Sequence, residues 1–272
     1  MIKEMLEESD FWWLPKGTAC ENLLVGLGHH RPITDEDDRI SVMWCRPLDV
    51  NEELFNNLNA YPLNFLQCWR NACNNTNVYR TLKVFNNESR EEAFLGPFVV
   101  DIDNGNGNGN LEDALSAARQ AVDFLIGKYN LGTDDLRIFF TGRKGFNIEV
   151  RPKTLGIDGS ITDQIGLSAQ MLDKIIEGLR HTNGVVGGCT NIVTNMDTNI
   201  DRIYENRVGG YRLKHPYIRL HCSINKWVRN HDSKMARMKI QISLDELRNR
   251  NANAREISLE AERLASDAVD LL

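Results

Sequence analysis

Phe98-Val99-Val100-Asp101-Ile102-Asp103 is the stretch on which the reading of this chain turns. Its three leading apolar residues, two of them β-branched, predict a strand that packs on both faces. Two carboxylates follow at i and i+2, and side chains two apart in a strand point to the same face. Anions held side by side repel, so such a pair calls for a cation between them. Mg²⁺ or Mn²⁺ suits the purpose, because a hard divalent ion takes carboxylate oxygens and leaves room for substrate phosphates. The plainer alternative is a strand end carrying two solvated Asp residues. The run Asn104-Gly-Asn-Gly-Asn-Gly-Asn110 is turn-forming and takes the chain off the strand.

Outward from this stretch, the whole chain sets bounds. Its 272 residues suffice for one large domain or two small ones with a sizeable core. Hydrophobic content of 42% and charged content of 26% are ordinary for a soluble globular protein. No apolar run approaches the roughly 18 residues of a membrane span, so no membrane partner is expected. The opening Met-Ile-Lys-Glu-Met-Leu-Glu-Glu resembles neither a signal peptide nor a transit peptide, which predicts a cytoplasmic location. Cysteines at 20, 45, 68, 73, 189 and 222 form no C-x-x-C pair. In a reducing compartment they are expected as free thiols, many of them buried.

The net charge of −6 excludes a protein coated in basic residues. Its distribution is uneven: residues 1–113 hold about 9 Lys and Arg against about 19 Asp and Glu, whereas residues 137–239 hold about 17 against about 9. An acidic front and a basic back suggest one face for a polyanion.

Residues 1–95 carry the weakest signals. Ile40–Cys45 reads as a strand, and Val78 to Phe85 alternates as another. From Glu52 to about Ala72, apolar residues recur at helical spacing, with Pro62 as a break or kink. Trp12, Trp13, Trp44 and Trp69 are expected in core or interface rather than as base-stacking platforms. After the Asn/Gly run, Leu111, Leu115, Ala118, Val122, Leu125 and Tyr129 make the apolar stripe of a helix, with Glu112 and Asp113 at its positive end. Strands follow at 136–141 and 146–151, joined by Gly142-Arg143-Lys144-Gly145. Glycines flanking two cations in a tight turn can bring backbone N–H groups and positive charge against a phosphate chain. A helix is predicted from Thr162 to about His181. Then come Met196-Asp197-Thr198-Asn199-Ile200-Asp201, with another acidic position on an extended stretch, and a cation-rich strand over 209–220. Ser243-x-x-Glu246 is a capping box, and the chain ends in an amphipathic helix.

Together these elements resemble the archaeo-eukaryotic primase superfamily, which includes primase small subunits and primase-polymerases. The matching pieces are Asp101-Ile-Asp103, Thr141-Gly-Arg143-Lys144-Gly-Phe-Asn147, Met196-Asp197-Thr-Asn-Ile and Leu213-Lys214-His-Pro216, in the family's order and with its separations. The resemblance covers about residues 78–226. It implies an α/β (α+β) catalytic core of two α/β units, the second with an RNA-recognition-motif-like sheet. The catalytic domain would span 1–240, with an N-terminal unit to about 95 and a motif-bearing unit over 96–240, and 241–272 would be a helical tail.

The resemblance further implies that Asp101, Asp103 and Asp197 hold two Mg²⁺ or Mn²⁺ ions, with Asp201 as the alternative third carboxylate. Thr141, Arg143, Lys144, Gly145, Asn147, Lys214 and His221 would bind the nucleotide, and Arg151, Arg212 and Arg219 the nucleic acid. The expected partners are a single-stranded DNA template, nucleoside triphosphates and a helicase or accessory subunit. Zinc is not expected, since the cysteines lack ligand spacing. One departure stands out: the family has His where this chain has Asn147. An amide can donate to a phosphate oxygen but carries neither a positive charge nor a mobile proton. The leading expectation is therefore template-dependent nucleotidyl transfer. A catalytically silent nucleic-acid-binding module of the same fold is the alternative. A sugar-nucleotide transferase using Asp-x-Asp ranks last, because it explains neither the basic turn nor the later acidic strand.

Overall fold

The computed structural model describes residues 11–14, 23–34, 40–45, 60–62, 65–74, 76–86, 92–94, 96–103, 111–143, 145–157, 164–182, 200–201, 207–208, 211–212, 217–225, 236–249 and 253–269. The first part of the chain forms β1 (Leu23–Thr34), β2 (Ile40–Cys45), β3 (Ala60–Pro62), α1 (Phe65–Ala72), β4 (Val78–Asn86) and β5 (Glu92–Phe94). Then come β6 (Phe98–Asp103), α2 (Leu111–Tyr129), β7 (Leu136–Phe140), β8 (Gly145–Val150) and α3 (Gln164–Thr182). Short strands follow: β9 (Ile200–Asp201), β10 (Arg207–Val208), β11 (Tyr211–Arg212), β12 (Tyr217–Arg219), β13 (Ile224–Asn225), β14 (Arg237–Met238) and β15 (Ile240–Ile242). The last helices are α4 (Leu244–Arg248) and α5 (Ala254–Val269). The fold class is mixed α/β, as expected. No helix among the described residues is long and apolar enough to cross a membrane.

Two compact units divide the chain. One comprises Met1–Gly96, Tyr217–Ile240 and Leu259–Leu272, the other Pro97–Pro216 and Gln241–Ser258. Residues 217–240 fall with the N-terminal segment, and 241–272 are divided between the two units.

The first unit is built on a six-stranded antiparallel sheet in the order β12-β4-β1-β2, with β3 on β1 and β5 on β4. β1 is irregular between Val25 and Leu27. The Gly26 N–H donates there to Thr81 Oγ1 at 3.0 Å, which satisfies a backbone donor at the irregularity. Trp13, Leu14, Leu23, Val25, Leu27, Leu66, Val78, Val84 and Leu220 form the core cluster, with Trp12 and Trp69 packed against it. Those three tryptophans serve the packing role expected of them; the side chain of Trp44 lies outside the described residues.

The helix expected from Glu52 to Ala72 is corrected. Among the described residues of that stretch, α1 is helical and Ala60–Pro62 pairs with β1 as a strand. Pro62 has no N–H and its ring excludes the preceding helical turn, whereas a short paired strand tolerates it. Within the strand expected over 209–220, the described residues pair in two places, β11 with β10 and β12 with β4.

In the second unit a five-stranded sheet runs β15-β7-β8-β6-β9. Its register sorts the side chains cleanly. Phe98, Val100 and Ile102 of β6 stand opposite Val150, Ile148 and Phe146 of β8, which in turn oppose Leu136, Ile138 and Phe140 of β7. All nine are buried. α2 packs on β6 and β8 through Ala114, Leu115, Ala117, Ala118, Ala121, Val122 and Leu125. Each fully buried Val, Leu, Ile or Phe contributes about 1.5–3 kcal/mol. A one-residue slip would turn Asp101 and Asp103 into this core, so the apolar face pins the register of the acidic one. α4 is tied to α2 by Arg119, which donates to the Leu247 and Asn249 carbonyls at 2.6 and 2.9 Å. Ser243 and Glu246 form the expected capping box.

Candidate active site

The face of the second sheet that carries Asp101 and Asp103 also carries Asn147 and Glu149 on β8 and Arg137 and Phe139 on β7, by the same alternation. Both aspartates are half-buried, whereas Asn147 and Glu149 are buried. Asp101 is central. Asn147 stands directly opposite it on one side, and β9 places Asp201 at the facing register position on the other. A row therefore crosses four strands in the order Asp201, Asp101, Asn147, Phe139. Residues directly opposite one another have Cβ atoms about 4.5–5.5 Å apart, within reach of side-chain contact.

Asn147 makes that contact. Its Nδ2 donates to Asp101 Oδ1 at 2.6 Å. The sequence predicts a nucleotide contact for this side chain; in the structure its amide donates to the Asp101 carboxylate.

Asp103 stands opposite Gly145, the first residue of β8. A Cβ at residue 145 would overlap the Ile102 carbonyl oxygen and come within 2.7 Å of Asp103 Oδ1, so glycine is what lets the turn approach the second carboxylate. The turn itself is closed by Thr141, whose N–H and Oγ1 both donate to the Gly145 carbonyl, at 3.0 and 3.1 Å. Gly142 has φ +82°, a left-handed conformation that favours glycine. The basic turn and the acidic pair thus meet at one end of the sheet. Arg143 is half-buried there; Lys144 lies outside the described residues.

The donor set is entirely oxygen, and carboxylate oxygens are what Mg²⁺ and Mn²⁺ take. The residues present thus fit a hard divalent ion. Among the described residues no three His, Cys, Asp or Glu side chains gather into a metal-holding group. Asp197 and Lys214 lie outside the described residues, as do the side chains of Asp201 and Arg212. Arg151 follows β8, and its N–H donates to the Asp135 carbonyl at 2.8 Å.

Arg219 and His221 belong to the first unit. Arg219 donates to the Tyr79 hydroxyl at 2.6 Å, with its guanidinium 5.2 Å from the ring centroid. His221 is buried, and its carbonyl accepts from Arg70 at 2.7 Å. Glu149 was not singled out from the sequence. The alternation of Phe146-Asn147-Ile148-Glu149 was the signal, since it puts an amide and a carboxylate on the Asp101 face.

No family model matches this chain. No curated protein sequence matches it either. Among solved structures, the chain is similar to the polymerase domain from Mycobacterium tuberculosis Ligase D in complex with DNA. That likeness has a TM-score of 0.48 and 14% sequence identity, and covers 96% of this chain and 88% of the other.

Proposed function

We propose that this chain performs template-dependent nucleotidyl transfer, as a DNA primase or primase-polymerase. The observation that carries the reading is the shared sheet face of Asp101 and Asp103, with the Thr141–Gly145 turn closing against Asp103. In this reading Asp101 and Asp103 hold two Mg²⁺ or Mn²⁺ ions, with Asp197 as third carboxylate and Asp201 as its alternative. Bound there, the ions would supply activation of the attacking 3′-hydroxyl and neutralisation of charge on the departing pyrophosphate.

The remaining work falls to the chain's own groups. Thr141 and Gly145 shape a turn whose backbone and whose Arg143 and Lys144 side chains receive the triphosphate, joined by Lys214; His221, buried in the first unit, is not given that role. Cations held in place before the reaction stabilise the charge that develops on the phosphates. Arg151 and Arg212 bind the template strand by its phosphates, and Arg219 of the first unit is a further candidate for phosphate contact. The partners are a single-stranded DNA template, nucleoside triphosphates and a helicase or accessory subunit.

Incubation with a primed single-stranded template, nucleoside triphosphates and Mn²⁺ tests this reading. Extension that follows the template sequence is expected. Binding of the template without any incorporation would favour a silent nucleic-acid-binding module, the reading to which Asn147 in the place of His points.

A further inference from the structure

We infer that Asn147 is a positioning residue, whose side-chain amide holds the Asp101 carboxylate in the orientation that a divalent cation needs. The inference rests on the metal-dependent reading of this sheet face given above.

Three observations converge on it. First, the donor is aimed: Nδ2 lies 2.6 Å from Asp101 Oδ1, a short contact of the kind made to a charged acceptor. Second, the amide is fixed from below and beside. Asn147 is 6% exposed and stands between Asp101 on β6 and the buried Phe139 on β7. A buried amide that moved away from the carboxylate would leave a donor unsatisfied, which costs about 1–3 kcal/mol. Third, a carboxylate has about four lone-pair positions over two oxygens, so the N–H of Asn147 fixes the group at Oδ1 without exhausting what it can offer a cation. A neutral amide does this without bringing a positive charge that would compete with the ion. Residue 147 thereby acts through Asp101 and not by touching the nucleotide.

Groups that orient a metal ligand typically change metal affinity 10–100-fold when removed. The test is a Mn²⁺ titration of the full chain without nucleotide, read by electron paramagnetic resonance, on the parent and on Asn147→Leu, Asn147→Ala and Asp101→Ala. Asn147→Leu keeps the branched four-atom side chain without its polar groups and Asn147→Ala adds no bulk, so a packing defect in one does not decide the result. Both are expected to weaken Mn²⁺ binding by about tenfold or more. In extension assays their turnover should recover in excess Mn²⁺, with the nucleotide KM at saturating Mn²⁺ within about twofold of the parent. If Asp101→Ala loses Mn²⁺ while both Asn147 variants keep the parent's affinity, this inference alone is overturned. A raised nucleotide KM at unchanged Mn²⁺ affinity overturns it too, in favour of direct triphosphate contact. If Asp101→Ala itself binds Mn²⁺ as the parent does, the metal-dependent reading of the face falls, and the inference with it.

Discussion

A single methyl group at residue 145 is a sharp probe of the site. In Gly145→Ala the new carbon would overlap the Ile102 carbonyl oxygen, with the Ile102 carbonyl carbon at 2.8 Å and Asp103 Oδ1 at 2.7 Å. Comfortable carbon contacts lie near 3.5–4.0 Å. Two of the three atoms are backbone of the neighbouring strand, so rotation of a side chain cannot relieve them. β6 and β8 must part by roughly 1 Å from a normal spacing of about 4.7–4.9 Å. Overpacking of this kind costs about 1–3 kcal/mol, and a loosened ladder hydrogen bond adds about 1 kcal/mol. The expected total of about 2–4 kcal/mol corresponds to a fall in Tm of roughly 5–15 °C for a chain of this size. The displacement falls on Asp103 and on the turn, because the Gly145 carbonyl accepts both Thr141 donors. Thermal melting followed by circular dichroism, with a parallel Mn²⁺ titration, reads both effects. Gly127→Ala is the matched control. It lies in α2 with nothing within 4 Å of the added carbon, and should gain about 0.5–1 kcal/mol. A Gly145→Ala protein that melted within about 2 °C of the parent and bound Mn²⁺ equally well would refute the close approach of turn and carboxylate.

The two carboxylates should differ in their structural consequences. Asp103→Ala relieves repulsion in the acidic pair, so its Tm without metal is expected at or above the parent's. Asp101→Ala instead removes the acceptor of the buried Asn147 amide, and should cost about 1–3 kcal/mol in thermal or urea melts; equal melting of the two variants would contradict the hydrogen bond. Single-stranded DNA binding should weaken as salt rises, with a slope near −0.7 per phosphate contact. Fluorescence anisotropy between low and moderate salt measures this, and a flat response would count against the polyanion face.

The second unit was legible because its signals are local and agree with one another. The strands expected at 136–141 and 146–151 and the helix expected from Thr162 to about His181 lie within about two residues of β7, β8 and α3. Alternation in β6 and β8 and an apolar stripe in α2 leave one consistent arrangement. The first unit was less legible. β1 carries Gly26, Gly28, His29, His30 and Pro32, which dilute a strand signal, and it is held by pairing with three other strands. The helical spacing of residues 52–72 continued through Pro62, where tertiary pairing with β1 prevails. The division of the chain depends on β12 reaching β4 across more than a hundred residues, which no local pattern encodes. At the site, the same-face placement of Asp101 and Asp103 followed from the period of a strand. The partner of Asn147 did not, since it lies 46 residues away and depends on register. Gly145 was legible as a turn glycine, but its contact with Asp103 required the fold.

In the proposed function the Asp101–Asp103 face carries metal-dependent nucleotide incorporation. Single-turnover primer extension by the parent and by Asp103→Ala, on the same template and in saturating Mn²⁺, tests it most directly. Charge stabilisation by a bound ion is worth several kcal/mol, so the variant's rate should fall on the order of a thousandfold while its fold and template binding persist. Extension by Asp103→Ala at the parent's rate would contradict the claim.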